Sequence, residues 1–194
     1  MAGYEYKYDA RGNETERIPM GANGHQASGK LSQKCKYDAQ DNLIMISYYS
    51  GGKSSTDKDG VHRYEYTYNA QHKRIGVKCF DSKDKLTIDK SVGAAIEKDE
   101  YDNRGNRVKC FYYGIDEKPI KGKEGWASST YEYNAMGLVI RQCFFGVDGK
   151  PTDPSVMVPI GICEYDKWGN MTYLAAQDKN GKFIINKNTG WAIS

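Results

Sequence analysis

Five cysteines, three histidines, three tryptophans and several acidic turns are the side chains of this 194-residue chain that could do chemistry. Catalysis or metal binding needs such groups gathered, a nucleophile beside a base or several ligands at a set spacing. Cys35, Cys79, Cys110, Cys143 and Cys163 are instead spread along the chain at places that look repeat-equivalent, and no Cys-x-x-Cys occurs. Five is odd, which excludes a complete bridge framework, and thiols set singly on strands read as small buried hydrophobes. His25, His62 and His72 fall in predicted loops or turns with no nucleophile in a recognisable setting beside them, and read as exposed turn residues. In Asp57-Lys58-Asp59-Gly60, Asp81-Ser82-Lys83-Asp84 and Asp148-Gly149, lysines interrupt the acids where a calcium loop needs regularly spaced oxygen ligands. Turn capping by Asp and Asn explains these segments without metal. Phosphate-cradling glycine loops are absent. No catalytic residue, metal site or cofactor is therefore expected.

The tryptophans remain. Trp126 and Trp191 occupy matching Gly-Trp-Ala connectors and Trp168 sits inside a turn. All three are candidates for stacking on a sugar ring or a partner side chain. The competing reading is that the connector tryptophans cap a thin core, which leaves Trp168 as the exposed one.

The elements that must position these residues recur. A tyrosine followed by an acid or amide enters a tight turn six times, at Tyr8, Tyr37, Tyr68, Tyr101, Tyr133 and Tyr165, spaced by 29, 31, 33, 32 and 32 residues. A fixed period in this range marks a repeat architecture. The turn phrase is fullest in Tyr8-Asp9-Ala10-Arg11-Gly12-Asn13, Tyr101-Asp102-Asn103-Arg104-Gly105-Asn106 and Tyr165-Asp166-Lys167-Trp168-Gly169-Asn170, with Gly137 keeping the glycine after Tyr133. Asp41, His72 and Lys73 replace Gly or Asn in copies two and three, so those turns are expected to be less ideal.

Before each turn lies an alternating strand such as Tyr4-Glu5-Tyr6-Lys7-Tyr8 or Tyr64-Glu65-Tyr66-Thr67-Tyr68, with tyrosines on one face and charges on the other. After it comes a second strand such as Val139-Ile140-Arg141-Gln142-Cys143-Phe144-Phe145, then a second turn, as in Asp148-Gly149-Lys150-Pro151, and a looser connector. The expected fold is all-β: one array over 1–194 of about six hairpins, starting near 4, 33, 64, 97, 129 and 161, in a superhelical or solenoid-like antiparallel sheet. The chain opens inside a first strand and stops after Gly190-Trp191-Ala192, where a seventh strand is due, so a longer array is expected.

Composition limits the partners. The 28 basic and 25 acidic residues are mixed, and the net charge of +3 has no basic block of the kind nucleic acid favours. No segment approaches the roughly 18 apolar residues of a membrane span.

The phrases Tyr-Asp-x-x-Gly-Asn, Asp-Gly-Lys-Pro and Gly-Trp-Ala, in that order and over essentially the whole chain, resemble bacterial YD-type repeats of the Rhs and teneurin group, in a longer-period variant. The resemblance implies a string of hairpins serving as a non-catalytic scaffold or interaction module of a surface or secreted protein. It equally implies a shell segment around a toxin domain, or a carbohydrate-binding module. Partners would be proteins or glycans, not nucleic acid. The location implied for a larger parent is extracellular or at the cell surface. No signal peptide opens this chain, which leaves the cytoplasm open too.

Overall fold

A computed structural model describes residues 3–153 and 158–184, and among these the chain has thirteen strands and no helix. Six antiparallel hairpins follow one another: β1 (Gly3–Tyr8) with β2 (Glu14–Met20), β3 (Ser32–Tyr37) with β4 (Leu43–Ser50), β6 (Arg63–Tyr68) with β7 (Arg74–Phe80), β8 (Ile96–Tyr101) with β9 (Arg107–Tyr113), β10 (Ser128–Tyr133) with β11 (Val139–Phe145) and β12 (Ile160–Tyr165) with β13 (Met171–Gln177). A two-residue strand, β5 (Lys53–Ser54), folds back on β4. The chain divides into two compact units between Ile96 and Glu97, and in each the strands lie side by side in chain order.

The tyrosine-led turn closes every hairpin in one way. In the fourth, the Asp102 N–H donates to the Asn106 carbonyl at 2.9 Å and the Gly105 N–H donates back to the Asp102 carbonyl at 3.1 Å. Gly105 has a φ of 81°, the left-handed region that glycine enters without Cβ strain. Strand pairing slips by one residue at the tyrosine, for example between Glu132 and Tyr133, which is the bulge such a three-residue loop carries. Turns two and three keep the same hydrogen-bond pattern without glycine. Asp41 and His72 take the left-handed position at φ 62° and 58°, and their N–H groups still reach the Asp38 and Asn69 carbonyls at 3.3 and 3.0 Å. The ladder dictates the turn, and short polar side chains tolerate that φ better than most.

Successive hairpins meet in a fixed register. Counting from each turn tyrosine, the residue eight later pairs with the residue three before the next tyrosine: Glu16 with Lys34, Met45 with Glu65, Lys109 with Thr130, and Arg141 with Ile162. The following pairs keep step, as Arg17 with Gln33, Ile46 with Tyr64, Cys110 with Ser129 and Gln142 with Gly161. Each junction ladder is short, and the tyrosine reinforces it. The hydroxyls of Tyr37, Tyr68, Tyr133 and Tyr165 donate to the carbonyls of Glu14, Leu43, Arg107 and Val139 at 3.0, 2.8, 2.7 and 3.0 Å. Every acceptor is the first residue of the preceding hairpin's return strand, so four different hairpins repeat the same stitch. The turn tyrosine thus closes its own hairpin and ties it to the previous one.

The cores are thin, as a single layer of strands requires. In the first unit Val61, Val77 and Cys79 are buried with Tyr64 and Tyr66 packed on them; in the second, Cys110, Trp126 and Phe144 are buried against Tyr112. Aromatic rings pack at both clusters. Replacing Tyr133 by Phe removes one stitch and strands the Arg107 carbonyl, with an expected loss of ~1 kcal/mol in urea unfolding. Tyr8 has no hairpin before it among the described residues, so Tyr8→Phe in dilute solution is expected to leave the midpoint unchanged.

Candidate interaction surface

The six turns form the most regular exposed feature of the molecule, and their capping residues are not free to bind. The Asp102 carboxylate accepts the N–H groups of Arg104 and Asn106, both at 2.9 Å, and the Asn106 amide at 3.0 Å. Asp9, Asp38 and Asp166 make the same three bonds. Asn69 and Asn134 keep the two backbone bonds. The Asn106 side-chain amide, then its backbone N–H, holds the Asp102 carboxyl below the usual carboxylate range, and hydrogen bonds within the turn do the same for Asp9, Asp38 and Asp166. The acids of Asp57, Asp81 and Asp148 likewise accept backbone N–H groups of their own turns. Tyr8, Tyr101, Tyr133, Tyr165, Gly12, Gly105, Gly137, Gly169, Asn13, Asn106 and Asn170 therefore constitute the frame.

What varies on this frame is the third residue after each tyrosine. Arg11 and Arg104 lean forward along the array, donating to the Asp38 and Ala135 carbonyls of the next turn at 2.7 and 2.6 Å. At the equivalent places in hairpins five and six stand Met136 and Trp168, 50% and 75% exposed. The Lys167 ammonium lies 4.3 Å from the Trp168 ring centre. In the first unit an open groove of 380 Å³ between turns is polar, lined by Asp38, Gln40, Asn42, Tyr68, Asn69 and His72. Within the second unit the series passes from the self-bonded Arg104 to the exposed Met136 and Trp168.

Trp126 is a core residue. It is 4% exposed, with Tyr112 stacked 4.5 Å from it and Phe144 at 5.6 Å, and its indole N–H donates to Glu124 at 3.1 Å. Its burial removes it from the stacking candidates. Trp191 lies outside the described residues. His62 also departs from expectation: it is 6% exposed, its Nδ1 lies 2.8 Å from the Ser55 carbonyl, and its ring packs edge-on to Tyr49. The connector turns inward there because its backbone pairs on both sides, the His62 N–H with Phe80 and the His62 carbonyl with Tyr48.

The cysteines are free thiols but not equivalent. Cys110 and Cys79 stand nine and eleven residues after their tyrosines and are buried, whereas Cys143 stands ten after, on the opposite face of its strand, and is half-buried.

Two buried polar nodes escaped the sequence reading. Asp99 occupies the place held by Tyr6, Cys35, Tyr66, Tyr131 and Cys163 in the other copies and is 6% exposed. Arg107 Nη1 lies 3.4 Å from Asp99 and 4.0 Å from Glu97. Donor atoms of Glu97, Asp99 and Cys110 lie within 4.8 Å of one another, yet Arg107 already supplies the positive charge. Burial, then the neighbouring carboxylates, pushes the Cys110 thiol up to about 12, so it is a neutral group at physiological pH. In the first unit the Tyr64 hydroxyl is within 2.8 and 3.0 Å of Asp57 and Asp89, linking two connectors. Aligning the six copies at the position two before the tyrosine would have exposed Asp99. The Tyr64 node joins residues from three segments and left no local signal.

No protein family matches this sequence, and no curated protein does. Solved structures do. A crystal structure of TcdB2–TccC3–TEV aligns over 92% of this chain at 16% identity with a TM-score of 0.59, and this chain spans 8% of that one. A further TcdB2–TccC3 crystal structure and the Tc holotoxin pore of Photorhabdus luminescens align over 93% and 92%, at 17% and 16% identity and TM-scores of 0.43 and 0.44. What the first match shares with this chain is the fold, that of a β-hairpin repeat sheet.

The buried thiol and the stitching tyrosines make one pH limb predictable. Burial raises Cys110 to about 12 and, as the leading cause, raises Tyr37, Tyr68, Tyr133 and Tyr165 as well. An acid with a raised folded value contributes stability that is fully present below its unfolded value and is lost as pH climbs toward the folded one. Urea midpoints are expected to be flat from pH 7 to about 8.5 and to fall above about 9, and Cys110→Val is expected to flatten that fall.

Proposed function

We propose that this chain is a non-catalytic scaffold, a run of YD-type hairpin repeats within a larger surface or secreted protein, whose edge and faces meet protein partners. The observation that carries the reading is the constant junction register, with its tyrosine stitch, repeated at hairpins of otherwise different sequence. Machinery spent on joining like units makes a surface of arbitrary length. The shared fold with TcdB2–TccC3–TEV, of which this chain spans 8%, supports a role as one stretch of a larger wall, including a shell segment around a toxin domain. Acids and bases that could have served catalysis are already engaged: Asp99 with Arg107, Tyr64 with Asp57 and Asp89, and His62 with the Ser55 backbone carbonyl. Among the described residues no helix is long and apolar enough to cross a membrane.

Stability in such an array is close to a sum of units and nearest-neighbour junctions. Deleting residues 101–132 joins Glu100 to Tyr133, residues that hold successive places in the repeat, and restores a hairpin in register. That protein is expected to unfold cooperatively, while deletion of 101–116 is expected to abolish the transition. Equal loss of cooperativity in both contradicts the scaffold reading.

A second reading is favoured by Trp168 alone. A ring 75% exposed, with a lysine beside it, is a stacking platform for a sugar. If it serves so, a glycan array gives hits that Trp168→Ala weakens on the order of tenfold, equivalent to about 1.4 kcal/mol. Hits indifferent to that change, or none, leave the protein-facing scaffold alone.

A further inference from the structure

Hairpin four differs from the other five on its core-facing side. The positions four and two before the turn tyrosine hold Tyr, Gln, Ser, Gly or Cys in the other copies. In hairpin four they hold Glu97 and Asp99, and no other copy has a carboxylate at either place. The position two before the tyrosine pairs across its hairpin with the residue nine after, as Tyr66 with Val77 and Tyr131 with Gln142. In hairpin four the residue nine after the tyrosine is Cys110.

Alternation along β8 puts Glu97 and Asp99 on one face, and the hairpin brings Cys110 of β9 beside them. Donor atoms of the two carboxylates and the thiol consequently lie within 4.8 Å of one another. Asp99 and Cys110 are 6% and 0% exposed, and Cys110 belongs to the buried cluster with Trp126 and Phe144. Arg107 answers this gathering in part. Its guanidinium brings one positive charge to two carboxylates, 3.4 Å from Asp99 and 4.0 Å from Glu97. The Arg107 side chain is 40% exposed, so its head can withdraw toward water while the donors stay enclosed. A dication held by both carboxylates and a thiolate balances these groups. The three ligand charges then meet those of the metal and Arg107 in equal number, which matters most in a water-poor core.

We propose that Glu97, Asp99 and Cys110 form a zinc site on the core-facing side of hairpin four. Carboxylate oxygen together with thiolate sulfur suits zinc, whereas calcium and magnesium take oxygen ligands. As the zinc–sulfur bond forms, the Cys110 S–H bond breaks and its proton leaves to solvent. The fourth tetrahedral position falls to a water molecule. Two ligands come from β8 and one from β9, so the metal clasps the two strands of the hairpin from within.

Cobalt(II) is the probe, because it takes zinc's place and a cobalt–thiolate bond gives a charge-transfer band in the near ultraviolet. Titrated into the 194-residue protein up to about 1 mM, it is expected to raise that band to saturation at one metal per chain. One proton is expected to be released per metal, and zinc is expected to abolish the band. Cys110→Ser is expected to lose the band although the less buried Cys35, Cys143 and Cys163 remain. Asp99→Asn is expected to weaken binding on the order of a hundredfold, at least what loss of an outer-shell partner costs. Arg107→Gln removes the competing cation and is expected to tighten binding at least about tenfold, a gain that a damaged fold cannot mimic. Near-UV circular dichroism and metal-free urea midpoints establish that each variant is folded. A wild-type protein with no saturable band overturns the proposal, as does a band that folded Cys110→Ser retains. Should Cys110→Ser not fold, an affinity that neither Asp99→Asn nor Arg107→Gln shifts overturns it equally.

Discussion

The hydrogen bond from a turn tyrosine to the preceding hairpin's return strand is the interaction on which the rest of this structure depends. An isolated hairpin is marginal in water, and each junction here offers only a short ladder to the next. The phenol resolves both problems with one side chain. Its backbone takes part in the bulged turn, its ring covers the sheet, and its hydroxyl satisfies a carbonyl 23 to 26 residues earlier. Shifting the register by one residue would turn the ring to the opposite face and lose the acceptor. The tyrosine therefore fixes register and identity of neighbours together.

With the frame held this way, substitution is tolerated wherever the frame does not need the residue. The third turn position runs through Arg11, Gln40, Gln71, Arg104, Met136 and Trp168 without altering the turn hydrogen bonds. The interior position two before the tyrosine accepts Tyr, Cys or, in hairpin four, Asp99, provided Arg107 neutralises it. That substitution exchanges apolar burial for an ion pair in which Asp99 is nearly enclosed and Arg107 is 40% exposed. Desolvation offsets much of the attraction in such a pair, so it is weak evidence of net stability.

The hairpins and turns were legible because their signals are local. Asp-x-x-Gly after an alternating strand dictates a reversal, and six copies make the period plain. The junctions were not legible, because a tyrosine in an alternating strand announces burial of a ring and says nothing of where its hydroxyl goes. His62 looked like an exposed loop residue because its connector is polar, and only pairing on both sides draws it in. The face of Cys143 was available from counting residues after the turn, since nine and eleven share a face and ten does not. For the surface itself, Trp168 was readable as the aromatic deviation in its series, and Asp99 was readable by aligning the copies two places before the tyrosine, whereas the Tyr64 node required the folded chain.

Amide hydrogen exchange resolved by residue tests the junctions most directly. The N–H groups of Tyr48, Tyr112 and Phe144 donate across junctions to the carbonyls of His62, Ala127 and Pro159, at 2.9, 2.9 and 2.8 Å. If neighbouring hairpins are joined as described, these three amides exchange as slowly as amides inside their own hairpins and respond together to denaturant. Exchange at the rate of an unstructured peptide, while the amides within each hairpin stay protected, would contradict the account.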